Sequence, residues 1–279
     1  MKIITWNIQW GLGIDGRVDL ARLIADARSM ADFDVLCLQE VSDNFSELKE
    51  NSGENQFAAI AALLPGFAAA EGVALDVPDE AGGRRRFGNM ILSRLPLGQV
   101  LRYALPWEAD RTRNMPRHLL EAIVEGPFGP VRMMTTHLEY SSDKLRRAQV
   151  EGIRAAHRTA CDRVSTPREP GPHTYRVLPT SRSAVLTGDF NMRPTDPVKQ
   201  RISEPFESEA PALLDAWETV NGAAPHPTSF YLFDQTDGTP HCCDFAFVSE
   251  DLAPRLKRVV YDQHVKSSDH QPILIELEQ

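Results

Sequence analysis

The sequence predicts a mixed α/β fold, two sheets packed face to face with helices outside, on three observations. Short apolar runs rich in Val, Ile, Leu and Phe recur from one end of the chain to the other. Few amphipathic helices separate them, whereas an all-parallel sheet needs a crossover helix between nearly every pair of strands. The runs at residues 119–124 and 131–136 are joined only by EGPFGP, a connection full of turn formers, which makes them a hairpin.

Taken in order, residues 3–8 form the first strand. The segment DLARLIADARSMA, residues 19–31, sets Leu20, Leu23, Ile24, Ala27 and Met30 at helical spacing and so has one apolar face. Residues 33–38 are a second strand, ending in Gln39-Glu40, and a helix over 54–64 stops at Pro65-Gly66. Residues 90–93, 99–105, 119–124 and 131–136 read as short strands. A helix covers 143–164. Residues 165–183 (STPREPGPHTYRVLPTSRS) are rich in Pro and Arg without usable periodicity, a flexible surface loop. A strand at 184–187, a helix over 213–220 and strands at 244–248, 256–261 and 273–277 complete the chain.

Composition narrows the function. A net charge of −9 argues against a general polyanion binder while leaving room for a local basic site. No run of apolar residues is long enough to span a membrane, and MKIITWNIQW, with Thr5, Asn7 and Gln9, is a strand rather than a signal peptide. Four scattered cysteines, with no C-x-x-C pair, build neither a disulfide framework nor a structural zinc site, as expected of a reduced, cytoplasmic protein. No obligate protein partner is evident. Gly11, Gly13 and Gly16 spell G-x-G-x-x-G, but the helical face starts only at Asp19. A helix beginning there cannot place its N-terminus under a dinucleotide pyrophosphate, so turn glycines are expected.

The informative pattern is polar residues where apolar strands stop. Asn7 interrupts the first strand, Glu40 closes the second, and His137 ends MMTTHLEY. Asp189 and Asn191 end LTGDFNM, Asp244 opens DFAFVS, and Asp269 and His270 precede the last strand. Each has an ordinary explanation: Asn7 could satisfy a backbone group, Glu40 could pair with an arginine, Asp269 could cap a turn. Together they read as a site. Asn, Glu and Asp oxygens suit a hard cation such as Mg²⁺ or Mn²⁺ rather than zinc. Two histidines with carboxylates within reach suit proton handling or oxyanion stabilisation. In LTGDFNM, side chains at i and i+2 of an extended chain point the same way, so Asp189 and Asn191 are expected to project together.

TWN, LQE, THL, GDFN and SDH, in that order from Thr5 to His270, resemble the endonuclease/exonuclease/phosphatase superfamily. That superfamily includes exonuclease III-type repair endonucleases, pancreatic-type deoxyribonucleases, sphingomyelinases and inositol polyphosphate 5-phosphatases. The resemblance implies one catalytic domain over residues 1–279, folded as a four-layered α/β sandwich with the site at one end. It implies a phosphoester hydrolase, a phosphodiesterase or nuclease. Glu40 would be the principal Mg²⁺ ligand, with Asn7 close by and Asp269 at or near the metal. Asp189 would orient or deprotonate the attacking water, and Asn191 would hold that water or a phosphate oxygen. His270, steadied by Asp244, would donate to the phosphate or the leaving group. His137 matches a second phosphate-contacting histidine of the deoxyribonuclease and sphingomyelinase branches; the glutamate that the deoxyribonuclease branch carries as its partner is missing from RRRFGNMILSR, and Glu121 or Glu139 would have to stand in. Where many relatives carry Arg-Ile before the aspartate of DFAFVS, this chain has Cys242-Cys243.

The substrate is less legible. Arginines crowd residues 84–86, 111–117 and 146–147, as a solvated surface or as basic contacts. The resemblance implies Arg117 as the contact to a substrate phosphate, because related chains carry an arginine near the phosphate at that place. The segment SFYLFD, residues 229–234, could flank the mouth or belong to the core. A small phosphoester or a nucleic acid both remain. The G-N-H of dinuclear phosphoesterases and the G-x-S-x-G of α/β-hydrolases are absent from the sequence. A non-catalytic binding module would ordinarily have lost an aspartate or histidine of this set, and none is missing.

Overall fold

Alternation in KIITWN sets the boundary between the first two layers. In the computed structural model, which describes residues 1–236 and 238–278, β1 (Lys2–Asn7) buries its side chains on both faces. Ile4 and Trp6 pack with Leu20, Leu23, Ile24 and Ala27 of α1 (Leu20–Met30), a helix capped by Asp19, which accepts from the Arg22 amide. β2 (Val35–Asp43) repeats the pattern. Leu36 and Leu38 join the helix-side cluster, to which α2 (Gln56–Leu63) adds Phe57 and Ile60. Ile3, Val35 and Cys37 belong instead to the core shared with the second sheet.

The chain continues through β3 (Ala68–Pro78), β4 (Arg84–Ser93), β5 (Leu97–Ala104), β6 (His118–Gly126), β7 (Gly129–His137) and α3 (Asp143–Ser165). It ends with β8 (Ala184–Asp189), α4 (Pro197–Ser203), β9 (Leu213–Asp215), α5 (Ala216–Asn221), β10 (Asp244–Ser249), β11 (Leu256–Tyr261) and β12 (Ile273–Leu277). The strands form two six-stranded sheets, β11-β12-β1-β2-β4-β3 and β5-β6-β7-β8-β10-β9. Both are mixed, as the sequence predicts. β1 and β2 run parallel with α1 as their crossover, β7 and β8 parallel with α3 as theirs, and the remaining pairs are antiparallel. This topology gathers the site: the C-terminal ends of β1, β2, β7 and β8 meet at one end of the sandwich. The start of β10 and the approach to β12 reach the same end because those strands run the opposite way.

Three elements differ from expectation. The β3–β4 hairpin is much longer than residues 90–93, because its outer part is held by charge rather than apolar alternation. Arg84 pairs with Asp76 on β3 at 2.7 Å, and Arg86 pairs with Asp43 on β2 at 2.6 Å. The helix expected over 213–220 is a strand followed by a short helix; Asp215 ends β9 and caps α5 by accepting from the Glu218 amide at 3.0 Å. α4 is unanticipated, with Asp196 as its cap and Pro197 at its first turn. Residues 165–183 hold one 3-10 turn, at His173–Tyr175, and are largely exposed. Gly11 and Gly16, at φ of 80° and 75°, shape the turn ahead of α1. Among the described residues no helix is long and apolar enough to cross a membrane.

Between the second sheet and α3 lies a buried charge pair. Arg132 is 0% exposed and meets Glu121, 1% exposed, at 3.2 Å, while its other nitrogens reach His157 Nδ1 at 2.6 Å and the Ser181 carbonyl at 2.8 Å. Glu121 is therefore committed away from His137. Removing one partner strands the other in a dry environment, which costs about 3–5 kcal/mol. Arg132→Met is expected to lose that much in urea denaturation, and adding Glu121→Leu should recover most of it; equal losses in the single and double variants would contradict a paired role.

Candidate active site

Asn7, the last residue of β1, is the hub. Its side-chain amide donates to Asp189 Oδ2 at 2.9 Å and to Glu40 Oε1 at 3.1 Å, and lies 3.5 Å from His270 Nε2. Its own oxygen accepts from the Gln9 amide at 3.1 Å, which fixes the rotamer. Glu40 reaches this point through a β-bulge: the β2–β4 register shifts between Leu38 and Val41, and Glu40 takes a φ of 62°. A non-glycine residue in that conformation costs on the order of 1–3 kcal/mol and re-aims its side chain. Beneath it, Gln39 ties the sheets together by donating to Thr5 Oγ1 of β1 at 3.2 Å and Thr135 Oγ1 of β7 at 2.8 Å.

Asp189 ends β8 beside a glycine that only a glycine can replace. A Cβ on Gly188, at φ 143°, would fall 1.9 Å from the Thr136 carbonyl on the adjacent strand. Asp189 and Asn191 do come together, but not by strand alternation. The chain turns at Asn191, φ 51°, so that its amide N–H donates to Asp189 Oδ1 at 2.9 Å. The Asn191 side chain donates to the Leu138 carbonyl at 3.0 Å and faces His137 Nε2 at 3.1 Å.

His270 is held from three sides. Its Nδ1 lies 2.8 Å from Asp244 Oδ2, the Trp6 indole donates to its carbonyl at 2.9 Å, and the Phe230 ring stacks on it at 4.3 Å. Ser268 links this turn to β1: its hydroxyl accepts from the His270 amide at 3.1 Å and donates to the Asn7 carbonyl at 2.8 Å. Ser229 positions Asp244 by donating to Oδ2 at 2.7 Å and accepting from the Asp244 amide at 3.1 Å. Burial opposes charge on His270, but Asp244, Asp189 and Asp269 outweigh it and raise its pKa well above the usual value. Its Nε2 thus presents a proton 3.7 Å from Asp189 Oδ2.

His137 is the opposite case. Burial, reinforced by Arg117, pushes its pKa down to about 3, so the ring is neutral. The carboxylates facing it are Glu40 at 3.8 Å and Asp189 at 3.5 Å, not the expected Glu121 or Glu139. Glu139 instead pairs with Arg117 at 3.5 Å and accepts from the Ser141 amide at 2.9 Å. Arg117 is buried, and its Nε has no hydrogen-bond partner. SFYLFD divides between both expected settings: Ser229 is buried under Asp244 and Phe230 covers His270.

Glu40 and Asp269 offer carboxylate oxygens that fit a divalent cation, whereas Asn7 turns its amide nitrogen, not its oxygen, toward Glu40. Burial, and next the charge of Asp269, raise the Glu40 pKa to about 7. Burial raises that of Asp269 as well, and its carboxylate is met by the Ser268 hydroxyl at 3.3 Å. A buried carboxylate whose ionisation a neighbouring carboxylate also opposes is what a dication relieves. Asp189, Cys243, Asp244 and His270 also offer ligand atoms within 4.8 Å of one another. That cluster is a hydrogen-bond relay: burial keeps the Cys243 thiol protonated, and Asp244 Oδ2 already serves Ser229 and His270.

The family described as Endonuclease/Exonuclease/phosphatase matches residues 4–270. No curated protein matches the chain. Among solved structures, a mannosyl-6-phosphatase of Bacteroides thetaiotaomicron is 17% identical, with a TM-score of 0.64 over 100% of both chains. The human Nocturnin catalytic domain with bound sulfate is 16% identical, TM-score 0.63, over 99% of this chain and 92% of that one. The TDP2 of D. rerio complexed with single-strand DNA product is 18% identical, TM-score 0.62, over 99% and 97%. These likenesses establish a shared fold.

The raised pKa of Glu40 has a thermodynamic consequence. In metal-free protein the fold holds this proton more tightly than the unfolded chain does, so the associated stability is complete below the ordinary carboxyl value of 4.5 and is lost as pH rises through about 7. Glu40→Gln, which cannot ionise, is expected to be more stable than the parent in EDTA at pH 8 by about 1–3 kcal/mol, and not at pH 4. Parallel stability curves from pH 4 to 8 would contradict the assignment.

Proposed function

Because the chain belongs to the endonuclease/exonuclease/phosphatase family, we propose that it hydrolyses phosphoester bonds with a divalent cation, Mg²⁺ or Mn²⁺, and that phosphodiesters are its preferred substrates. The observation that carries this reading is the Asn7 amide, shared between Asp189 at 2.9 Å and Glu40 at 3.1 Å, with His270 beside them. It gathers Asp189, Glu40 and His270 around one point, which supports reading them as the water-activating group, the metal-binding group and the acid.

Glu40 and Asp269 would hold the cation, which when bound would supply charge against the phosphate oxygens, while Asn7 aims Glu40. Asp189 orients the attacking water and takes its proton, its carboxylate aimed by Asn7 and the Asn191 backbone. The water oxygen bonds to phosphorus as the bond to the leaving oxygen breaks. His270, charged and fixed through Asp244, donates from Nε2 to the phosphate or to the departing oxygen. His137, neutral, offers a hydrogen bond without adding charge, and Asn191 sets its orientation. Arg117 contributes positive potential from behind. The balance of labour matches the environments: the histidine hydrogen-bonded to Asp244 is the acid, and the one held neutral by burial and Arg117 is not. A monoester substrate is the second reading, because the relative named as a mannosyl-6-phosphatase has the same fold over its full length.

Purified protein is expected to cleave bis-p-nitrophenyl phosphate faster than p-nitrophenyl phosphate with Mg²⁺ or Mn²⁺, and neither in EDTA. Asp189→Asn should abolish turnover, and His270→Gln should slow it roughly a hundred- to a thousand-fold. Undiminished rates in EDTA, or an active Asp189→Asn, would remove the metal-assisted hydrolysis; faster monoester cleavage would favour the second reading.

A further inference from the structure

Next to the catalytic end lies a second recess with a different character. It is a cavity of about 430 Å³, with Asn191 at one edge and Arg147, Arg193 and His241 around it. His241 connects it to the centre: its ring meets Phe230 edge-on at 5.5 Å, and Phe230 stacks on His270 at 4.3 Å. A ligand held here would touch the residue beside His137 and the wall beside His270.

The charges decide what such a ligand would be. Some surface arginines are matched by carboxylates, as Arg84 is by Asp76 and Arg94 by Asp32 and Asp34, while others, such as Arg111 and Arg113, have no ion pair among the described residues but do not line this cavity. Arg147 and Arg193 are exposed, and among the described residues neither guanidinium has an ion pair or hydrogen bond. Two carboxylates share the cavity, but both are engaged. Asp143 pairs with Arg146, whose own head is turned inward to the Glu139 and Tyr140 carbonyls at 2.7 Å each. Asp196 caps α4 by accepting from the Val198 amide at 2.8 Å. Two unneutralised guanidiniums therefore face one cavity of a protein whose net charge is −9. A guanidinium fork is suited to a phosphate.

We propose that Arg147 and Arg193 form a subsite for a second phosphate on the same substrate molecule, so that the preferred substrates are small phosphoesters carrying another phosphate away from the scissile one. The inference deepens the hydrolase reading and rests on it. The second phosphate is held and not cleaved. Binding energy from this remote group serves to orient the ester at Asp189 and His270.

The test measures affinity rather than turnover. In the Asp189→Asn background with Mg²⁺, titration calorimetry compares adenosine 3′,5′-bisphosphate with adenosine 5′-monophosphate. The bisphosphate is expected to bind at least about tenfold more tightly, and the preference should fall below about twofold when Arg147→Gln and Arg193→Gln are added. Thermal denaturation checks that the added substitutions leave the fold intact, and Arg193→Glu alone should reverse the preference. Equal affinities before the arginines are changed, or a preference that survives their loss, would overturn the subsite. The two readings fail separately: a protein without hydrolytic activity that still prefers the bisphosphate loses only the reaction, whereas one that hydrolyses esters but shows no preference loses only the subsite.

Discussion

Four carboxylates, Glu40, Asp189, Asp244 and Asp269, converge on one end of the sandwich, and their mutual repulsion in a dry setting is the constraint that organises everything around them. Left alone, such groups would protonate or pull the strand ends apart. The Asn7 amide bridges two of them, and the Ser229 hydroxyl and His270 answer Asp244. What the side chains do not neutralise is Glu40, whose pKa burial, and next the charge of Asp269, raise to about 7. The site is thus assembled with a deficit of positive charge where a dication fits.

The scaffold exists to hold that arrangement. Asn7 and Glu40 come from neighbouring parallel strands of one sheet, Asp189 and His137 from neighbouring parallel strands of the other. Only face-to-face packing brings the two pairs together, and Gln39 locks the packing one residue from Glu40. Two local features would be liabilities elsewhere. The bulge at Glu40 carries backbone strain, and Gly188 permits a close approach no other residue could make. Both aim a carboxylate.

Much of this was legible in the sequence because strand ends are marked by abrupt changes from apolar to polar residues. TWN, LQE, THL, GDFN and SDH each mark such an end, and the structure brings all five together. The partners that position these groups were harder to see. Ser229 and Ser268 act through backbone geometry that no spacing announces, and Phe230 covers His270 from a segment whose alternation fits core and mouth equally. Glu139 lies beyond the end of β7, where strand spacing no longer says which way a side chain points, and it turns to Arg117 and the Ser141 amide. The outer hairpin of β3 and β4 was hidden because cross-strand ion pairs replaced apolar alternation. Arg147 reads as part of a run with Arg146, yet one head is buried among carbonyls and the other is open.

The proposed division gives the cation to Glu40 and Asp269 and leaves the cysteine-containing cluster as a hydrogen-bond relay, and locating a bound ion tests it most directly. The measurement is an anomalous difference map from crystals of the protein soaked in Mn²⁺. The account predicts a peak between the Glu40 and Asp269 carboxylates with the Asn7 side chain beside it, and His270 still bonded to Asp244. A peak among Cys243, Asp244 and His270 would contradict it, because the group assigned as the acid would then be a ligand.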